Sequence, residues 1–292
     1  MTLLAGDLTT LATAKGYIDP LPSDAIVQGL VTRISAMIRS TLNRPYLFPR
    51  QYMRQFDGTG TQQLVLPDYP LLSLASLIVS GTTISLAPQL GATTPPAAPP
   101  FGYRFQPWDG LVPGMPAVVE LVGTAFWSGH QNVVATYTAG YQVTGESQRV
   151  PVSSPYQFTP LAPWGSWAVD EGATYASNGV ALTAIASGTP TAGEYLPPAP
   201  DLASPIPYYT FAAADADAAI LLNYGFIPAD LEQVALELIA ERASYRRRVG
   251  IRSQSLASQE SFTYDDAGIS KWAVDALFPY VSVLSPPIGA SV

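Results

Sequence analysis

The clearest hydrophobic pattern in the chain lies between residues 23 and 43. Apolar side chains recur there every three or four residues, which is the period of an amphipathic α-helix. Ser23 precedes them as an N-cap, and Pro45 follows them as a stop. A shorter pattern over residues 8–15, closed by Gly16, predicts another helix. The apolar positions of the longer helix are Ile26, Val27, Leu30, Ile34, Met37, Ile38 and Leu42.

Two more helices are predicted near the C-terminus, over residues 228–249 and 270–277. In the first of these, acidic residues lie in the opening turn and Arg246–Arg248 near the end. That order matches the helix macrodipole, which favours anions at the N-terminus and cations at the C-terminus. The positions that form its apolar face are Leu231, Val234, Ala235, Leu238, Ile239 and Ala243.

Residues 54–85 consist of short apolar runs separated by turn residues, a pattern that predicts a β meander. The pair Asp57 and Gly58, with Gly60 close behind, favours a tight hairpin turn because glycine tolerates positive φ. Residues 86–116 are rich in proline and predict an extended loop.

Residues 144–225 are almost free of Lys and Arg and predict an inserted β-rich module. The stretches "ATYTAGY" before it and "LLNYGFIP" at its end resemble each other, so either could lead into the helix at residue 228. Together the patterns predict an α+β fold with a helical core, a β meander and this module. The expected domains are a core of residues 1–143 plus 226–292 and the insert of residues 144–225.

Composition excludes several kinds of site. The 292 residues include no cysteine and one histidine, His130, so cysteine chemistry and sites with several histidines are impossible. The formal net charge of −8 argues against a protein that binds nucleic acid tightly. The sequence predicts no secretory leader and no membrane span, and therefore a soluble protein made in the cytoplasm. No phosphate-binding loop or catalytic triad is evident, so we expect neither an enzyme nor a cofactor.

The order of these motifs resembles that of a known family. A helix pair runs into "NRPY", and "YMRQFDGTGTQQLVLPDYPLLSLASLIVSG" follows. Later come "TYTAGY", then "IPADLEQVALELIAERASYRRRVGIRSQSLASQESFTY", and a short helix closing on "LFPYV". This order is similar to that of the head–tail connector (adaptor) proteins of tailed bacteriophages. The resemblance covers roughly residues 1–85, 117–143 and 226–283; the proline-rich loop and the insert depart from it.

The resemblance implies a structural virion protein of the neck that forms a ring, typically of twelve copies. Members bind the portal protein after DNA packaging, extend the DNA channel and provide a platform for the tail or stopper protein. Double-stranded DNA would pass through without sequence-specific binding, and the acidic balance suits walls that repel phosphates. The alternatives are a stopper or tail-completion protein, or a glycan-binding β module on a virion scaffold.

In this family the C-terminal segment typically reaches the portal. That implies an interface with the portal or a neighbouring subunit at Arg246, Arg247, Arg248, Arg252, Phe262, Tyr264, Phe278 and Tyr280. The arginine cluster also admits contact with DNA phosphate, or a solvated helix end.

Other conspicuous residues favour structural roles. His130 is expected in an exposed turn, Tyr264–Asp266 as a helix cap, and Asp215–Asp217 as a plain turn rather than a calcium loop. Five aromatic residues of the insert are expected to pack in a core or interface, with a carbohydrate-binding face as the alternative. They are Trp164, Trp167, Tyr175, Tyr208 and Tyr209.

Overall fold

The fold is given by a computed structural model of the chain. It describes residues 6–19, 22–87, 101–106, 117–198, 207–245, 253–256, 260–263 and 270–282.

Four α-helices lie in the described part of the chain, in the segments where the sequence predicts them. They are α1 (Leu11–Lys15), α2 (Asp24–Thr41), α3 (Ala229–Tyr245) and α4 (Lys271–Leu277). A short 3₁₀ helix, Phe278–Tyr280, continues α4, and another spans Ala213–Asp215.

Strands account for more of the structure than helices do. They are β1 (Arg50–Gly58), β2 (Gln63–Val65), β3 (Leu71–Val79), β4 (Thr82–Thr83), β5 (Gly102–Gln106), β6 (Val118–Val122), β7 (Gly129–Ala139), β8 (Gln142–Arg149), β9 (Gln157–Phe158), β10 (Gly165–Tyr175), β11 (Thr183–Ala184), β12 (Glu194–Leu196), β13 (Tyr209–Phe211), β14 (Ala219–Pro228), β15 (Ser253–Leu256) and β16 (Glu260–Thr263).

The predicted helical core is wrong. The structure is 39% strand and 24% helix, so it is β-rich rather than a helical bundle with a β insert. The sequence pattern overestimated the share of helix in the fold. A period of 3.6 over twenty residues is a strong signal, whereas strands of two to five residues, such as β5, β9 and β12, leave little periodicity to detect.

The described chain forms two compact units. One comprises residues 46–142 and 282–292, and the other comprises residues 1–45 and 143–281. The division into an adaptor core and an insert of residues 144–225 stays a prediction.

The unit of residues 46–142 is built around β7. This strand pairs antiparallel with β1 on one side and β3 on the other, in a sheet of order β1-β7-β3-β4. Val133, Ala135, Tyr137 and Ala139 are all buried and point to one face, as the two-residue period of a strand requires. A second sheet, β2-β6-β5, contributes Leu64, Val119 and Leu121 to the same hydrophobic core.

The hairpin expected at Asp57 and Gly58 is not formed. These two residues end β1, and the chain turns at residues 59–62 before β2. The two strands then join different sheets, because β1 pairs with β7 and β2 with β6. A local turn signal cannot show whether the strands it joins are partners, and here the partner of β1 lies more than seventy residues away in sequence.

The proline-rich segment is not loop throughout. Residues 102–106 form β5, which pairs antiparallel with β6 from Gly102 opposite Val122 to Gln106 opposite Val118. Tyr103 lies in the core of the unit. Residues 88–100 and 107–116 of that segment lie outside the described part of the chain.

The unit of residues 1–45 and 143–281 combines the helices with strands β8 to β16. Val27, Val31, Ile34 and Ile38 form the buried stripe of α2, which packs against α3. Strand β14 is the centre of the sheet β10-β14-β8, and it runs directly into α3 at Ala229. The stretch "LLNYGFIP" therefore leads into the helix, which decides between the two similar stretches.

Gly58 tests the close contact between β1 and the loop before β7. Its N–H donates to Asn132 Oδ1 at 2.8 Å, and a Cβ placed there would overlap the Trp127 carbonyl oxygen. We expect Gly58→Ala to lower the free energy of unfolding by about 1–3 kcal/mol, the usual cost of overpacking. Urea denaturation measures this change.

The control is Gly29→Ala in the middle of α2, where a Cβ would meet nothing within 4 Å. This change should raise stability by about 0.5–1 kcal/mol, because alanine loses less backbone entropy than glycine in a helix. A Gly58→Ala protein as stable as the unsubstituted chain would contradict the close approach.

Candidate interaction surface

Most of the predicted interface residues lie beyond the described part of the chain. Arg246, Arg247, Arg248, Arg252 and Tyr264 are outside it. Phe262 lies in β16, which pairs with β15, but its side chain is also outside it. The helix cap predicted at Tyr264–Asp266 also lies outside the described part of the chain. Phe278 and Tyr280 are described, and the structure brings both to the end of α4.

The helix α4 has one buried side, and it also carries large apolar side chains on its exposed surface. Ala273 and Leu277 are fully buried where α4 packs against α3. Trp272 and Val274 are partly exposed, and Phe278 is 76% exposed. Exposed apolar side chains that lie close together can mark a binding surface, and Val274 and Phe278 are about one helical turn apart.

Tyr280 ties this segment to the first turn of α3. Its hydroxyl donates to Asp230 Oδ2 at 2.6 Å. Ala229 and Asp230 are exposed at the start of α3, and the Ala229 N–H donates to the Trp164 carbonyl oxygen at 3.3 Å. The C-terminal segment and the loop before β10 therefore meet at one helix terminus.

Tyr17, which follows α1, reaches the next turn of α3. Its hydroxyl donates to Gln233 Oε1 at 3.1 Å, and its ring is 46% exposed. Gln233 Nε2 in turn donates to Glu237 Oε1 at 2.7 Å. We call the exposed positions Asp230, Gln233 and Glu237 the α3 face; they recur at helical spacing and lie on one side of the helix.

The other side of α3 faces the interior of the unit. Glu232 accepts hydrogen bonds from Thr9 Oγ1, at 2.9 Å, and from Ser166 Oγ. Because Thr9 precedes α1 and Ser166 lies in β10, this carboxylate joins three separate parts of the chain. The α3 face is therefore carried by a helix that is anchored on its inner side.

Elsewhere, several carboxylates accept hydrogen bonds from tyrosine hydroxyls. Asp68 accepts from Tyr137, and Glu146 accepts from Tyr224 at 2.5 Å. Asp215 accepts from Tyr175 at 2.6 Å. Burial raises the pKa of the Tyr137 and Tyr224 hydroxyls, and the neighbouring carboxylate raises each pKa further. The same two causes raise the pKa of Tyr175 to about 12.

Aromatic side chains from residues 144–225 pack in a core around Asp170. This carboxylate accepts from Tyr195 at 2.6 Å and from Tyr209 at 2.9 Å. The Trp167 Nε1–H donates to the Tyr209 hydroxyl at 3.1 Å. Burial first, and Asp170 next, raise the pKa of both tyrosines. The rings of Phe158 and Phe211 stack 5.0 Å apart beside them.

This core accounts for two of the five aromatics considered for glycan binding. Trp167 and Tyr209 are buried, and Tyr175 is engaged with Asp215. Trp164 and Tyr208 alone among the five are exposed large side chains. A flat sugar-stacking face made of all five is therefore wrong.

The polar residues that the sequence analysis singled out, His130, Asp215 and Asp217, each have a partner within the chain. His130 Nδ1 lies 3.0 Å from Asp57 Oδ1, which also accepts from the Gln131 N–H. Asp217 pairs with Arg149, and the second oxygen of Asp215 accepts from the Gly193 N–H. Two carboxylates engaged with their own protein partners do not form the start of a calcium loop.

Among the described residues, no group of three or more histidine, aspartate or glutamate side chains could hold a metal ion. No helix in that part of the chain is long and apolar enough to span a membrane. No protein-family model matches the chain, and no curated protein matches its sequence.

The α3 face was missed at the sequence level. Asp230 was noted only for its place in the first helical turn, and Gln233 and Glu237 were not singled out. The available signal was their helical spacing opposite the apolar face of α3. Tyr17 and Tyr280, which border the face, come from distant parts of the sequence, and no local pattern predicts that they meet there.

The tyrosine–carboxylate pairs generate a pH prediction. The pKa of these tyrosines is raised above the usual value near 10, so the folded chain keeps its hydroxyl protons where the unfolded chain loses them. Stability is therefore fully present below pH 10 and falls as pH rises above it. For Tyr175 the fall should continue to about pH 12. Urea denaturation at successive alkaline pH values measures it.

The matched control is Tyr175→Phe, which keeps the ring and removes the titrating hydroxyl. This variant should lose less stability over the same pH interval than the unsubstituted chain. Equal losses in the two proteins would show that Tyr175 does not contribute.

Proposed function

We propose that the chain is a structural virion protein, a head–tail adaptor that forms a ring on the portal. In this proposal it binds the portal protein after DNA packaging, extends the DNA channel and gives the tail or stopper protein a docking platform. The order of motifs described above is the basis of this proposal. The protein is placed in the neck of the virion, with copies of itself, the portal and the tail or stopper protein as partners.

The exposed Phe278 is the structural observation that supports this proposal best. The resemblance assigns portal contact to the C-terminal segment, and this segment carries the most exposed of the large apolar side chains described. Two buried residues of α4 and the bond from Tyr280 to Asp230 hold it in place. A pre-ordered aromatic side chain loses little entropy on binding, which suits an anchor for a partner's pocket.

The low and negative charge agrees with the role proposed for the channel. A formal charge of −8 gives passing DNA no strongly basic surface to bind. Of the described basic residues, Lys15, Arg54 and Arg149 are paired with Asp24, Asp68 and Asp217. These three side chains are therefore engaged with carboxylates of the chain itself.

Substitution of Phe278 tests the proposed contact. Truncation after residue 252 would also remove buried Ala273 and Leu277, so a point change is the cleaner test. We expect Phe278→Ala to weaken binding to purified portal rings by about tenfold or more, as for a central aromatic anchor. Native mass spectrometry of the mixture, titrated with the chain, measures the affinity and the number of bound copies.

Phe101→Ala is the matched control, because Phe101 is also an exposed phenylalanine and lies in the other unit. This variant should bind portal rings as the unsubstituted chain does. A chain that ignores portal rings but binds an isolated tail or stopper protein would reject the adaptor role and favour a tail-side neck protein.

A further inference from the structure

Strand β1 forms the outer edge of its sheet. Among the described strands it pairs with β7 alone, from Arg50 opposite Ala139 to Phe56 opposite Val133 without a register shift. No proline or glycine interrupts residues 50–56. A long and regular edge strand offers its backbone groups to another strand, and proteins usually protect such an edge.

The backbone groups of β1 that point away from β7 belong to Gln51, Met53 and Gln55. Successive residues of an antiparallel strand direct their N–H and C=O groups to opposite sides. Even-numbered residues of β7 bond towards β3, as the Asn132 carbonyl oxygen does when it accepts from the Ser80 N–H at 2.7 Å. Odd-numbered residues of β7 therefore bond to β1, where even-numbered residues stand opposite them.

The side chains of Gln51, Met53 and Gln55 are also accessible. They lie on the sheet face away from the core, because the residues between them pair with the buried residues of β7. All three are exposed, and Met53 is 72% exposed. A strand added at this edge would therefore bond to the backbone and cover an apolar side chain.

The other edge strands in the described part of the chain are short or irregular. Strands β2, β4, β5, β9, β11, β15 and β16 have two to five residues each. The long edge strand β10 shifts register twice against β14, and β8 contains Gly145 with a φ of 70°. The most regular partner that this chain offers to β1 is therefore the β1 strand of a second copy.

One register suits the pairing of two β1 strands. A two-fold axis through Met53, perpendicular to the sheet, makes the strands antiparallel and places Met53 opposite its own copy. Gln51 of each copy then stands opposite Gln55 of the other. The outward N–H and C=O groups of these residues bond in pairs, and the glutamine amides can bond across the axis.

The core side of β1 selects this register over its neighbours. With the axis at Met53, Arg50 stands opposite Phe56 of the other copy, and Arg54 opposite Tyr52. Arginine is attracted to aromatic rings, and the Arg54 guanidinium already lies 5.5 Å from the centre of the Tyr52 ring in its own copy. An axis at Tyr52 would set Arg50 opposite Arg54, and an axis at Arg54 would set two copies of Arg54 face to face. Like charges directly opposite each other destabilise a strand pair.

We propose that two copies of the chain pair antiparallel through the outer edges of β1, about a two-fold axis at Met53. The pairing joins the two β1-β7-β3-β4 sheets into one continuous sheet. An isologous contact of this kind closes on itself and gives a dimer, so it does not propagate a ring. The inference does not rest on the proposed function, whose ring contacts would use other surfaces.

Cysteine cross-linking of the full chain tests the pairing and its register, because the chain has no cysteine of its own. Opposed hydrogen-bonded residues have Cα atoms about 5.5 Å apart, which is within disulfide reach. Met53→Cys should form a covalent dimer under mild oxidation, measured by intact mass. Gln51→Cys should cross-link with itself at least about tenfold more slowly, because its copy lies four residues along the strand, roughly 13 Å away. Mixed with Gln55→Cys, it should form the mixed dimer at the fast rate.

Met53→Lys tests the pairing without a cross-link. Lysine on an edge strand opposes strand addition, and here it sets two like charges opposite each other at the axis. We expect the dimer to weaken by about tenfold or more in sedimentation equilibrium. The matched control is Ser73→Lys, which adds the same charge at an exposed position of β3. Ser73 and Gln51 both pair with Thr138, so the control lies on the same sheet face but away from the edge. It should dimerise normally.

Several results would overturn the proposal. These are an unsubstituted chain that sediments as a monomer at every concentration, and a Met53→Lys chain that dimerises as well as the unsubstituted one. Loss of the dimer in Ser73→Lys as well would place the contact on the sheet face instead of the edge. Gln51→Cys that cross-links with itself as fast as Met53→Cys would reject the register.

The dimer and the adaptor function fail separately. A monomeric chain that portal rings capture would reject the dimer and leave the adaptor function standing. A chain that dimerises through Met53 but ignores portal rings would do the reverse.

Discussion

The structure depends on tyrosine hydroxyls that donate to buried or half-buried carboxylates. With 22 acidic and only 14 basic side chains, the chain cannot pair every acid with a cation. A neutral phenol supplies a strong donor without a second charge to desolvate, which lowers the cost of burying the carboxylate. Asp68, Asp170, Asp215 and Glu146 all use this arrangement, and each joins segments that are far apart in sequence. The bonds therefore fix tertiary structure as well as satisfy charge.

The same arrangement shapes the surface. Tyrosine is not the sole partner of these acids, because Asp68 also accepts two hydrogen bonds from Arg54. Tyr17 and Tyr280 repeat the interior pairing at the surface, where they donate to the polar side chains of the α3 face. Tyrosine hydroxyls thus serve as donors both in the interior and on this surface.

The sequence was informative where structure is local. The periods of α2 and α3 located both helices within a few residues, and the β character of residues 144–225 was evident from composition. It failed where partners are distant, because β1 pairs with β7 instead of β2. Of the eight predicted interface residues, only Phe278 and Tyr280 have side chains in the described part of the chain. The α3 face was missed because Tyr17 and Tyr280 reach it from opposite ends of the chain, a proximity that no local pattern encodes.

The pairing of β8 with β14 has a consequence for how this protein changes over time. These strands begin and end the β-rich part of residues 143–228, and as neighbours in one sheet they lie about 5 Å apart. Gly145 and Asn223 join them by a further hydrogen bond of 2.9 Å. Because its first and last strands lie side by side, loops within this segment can change in length without moving the strand that leads into α3. The loops between β8 and β14 are therefore places where the chain can gain or lose residues while the start of α3 keeps its position.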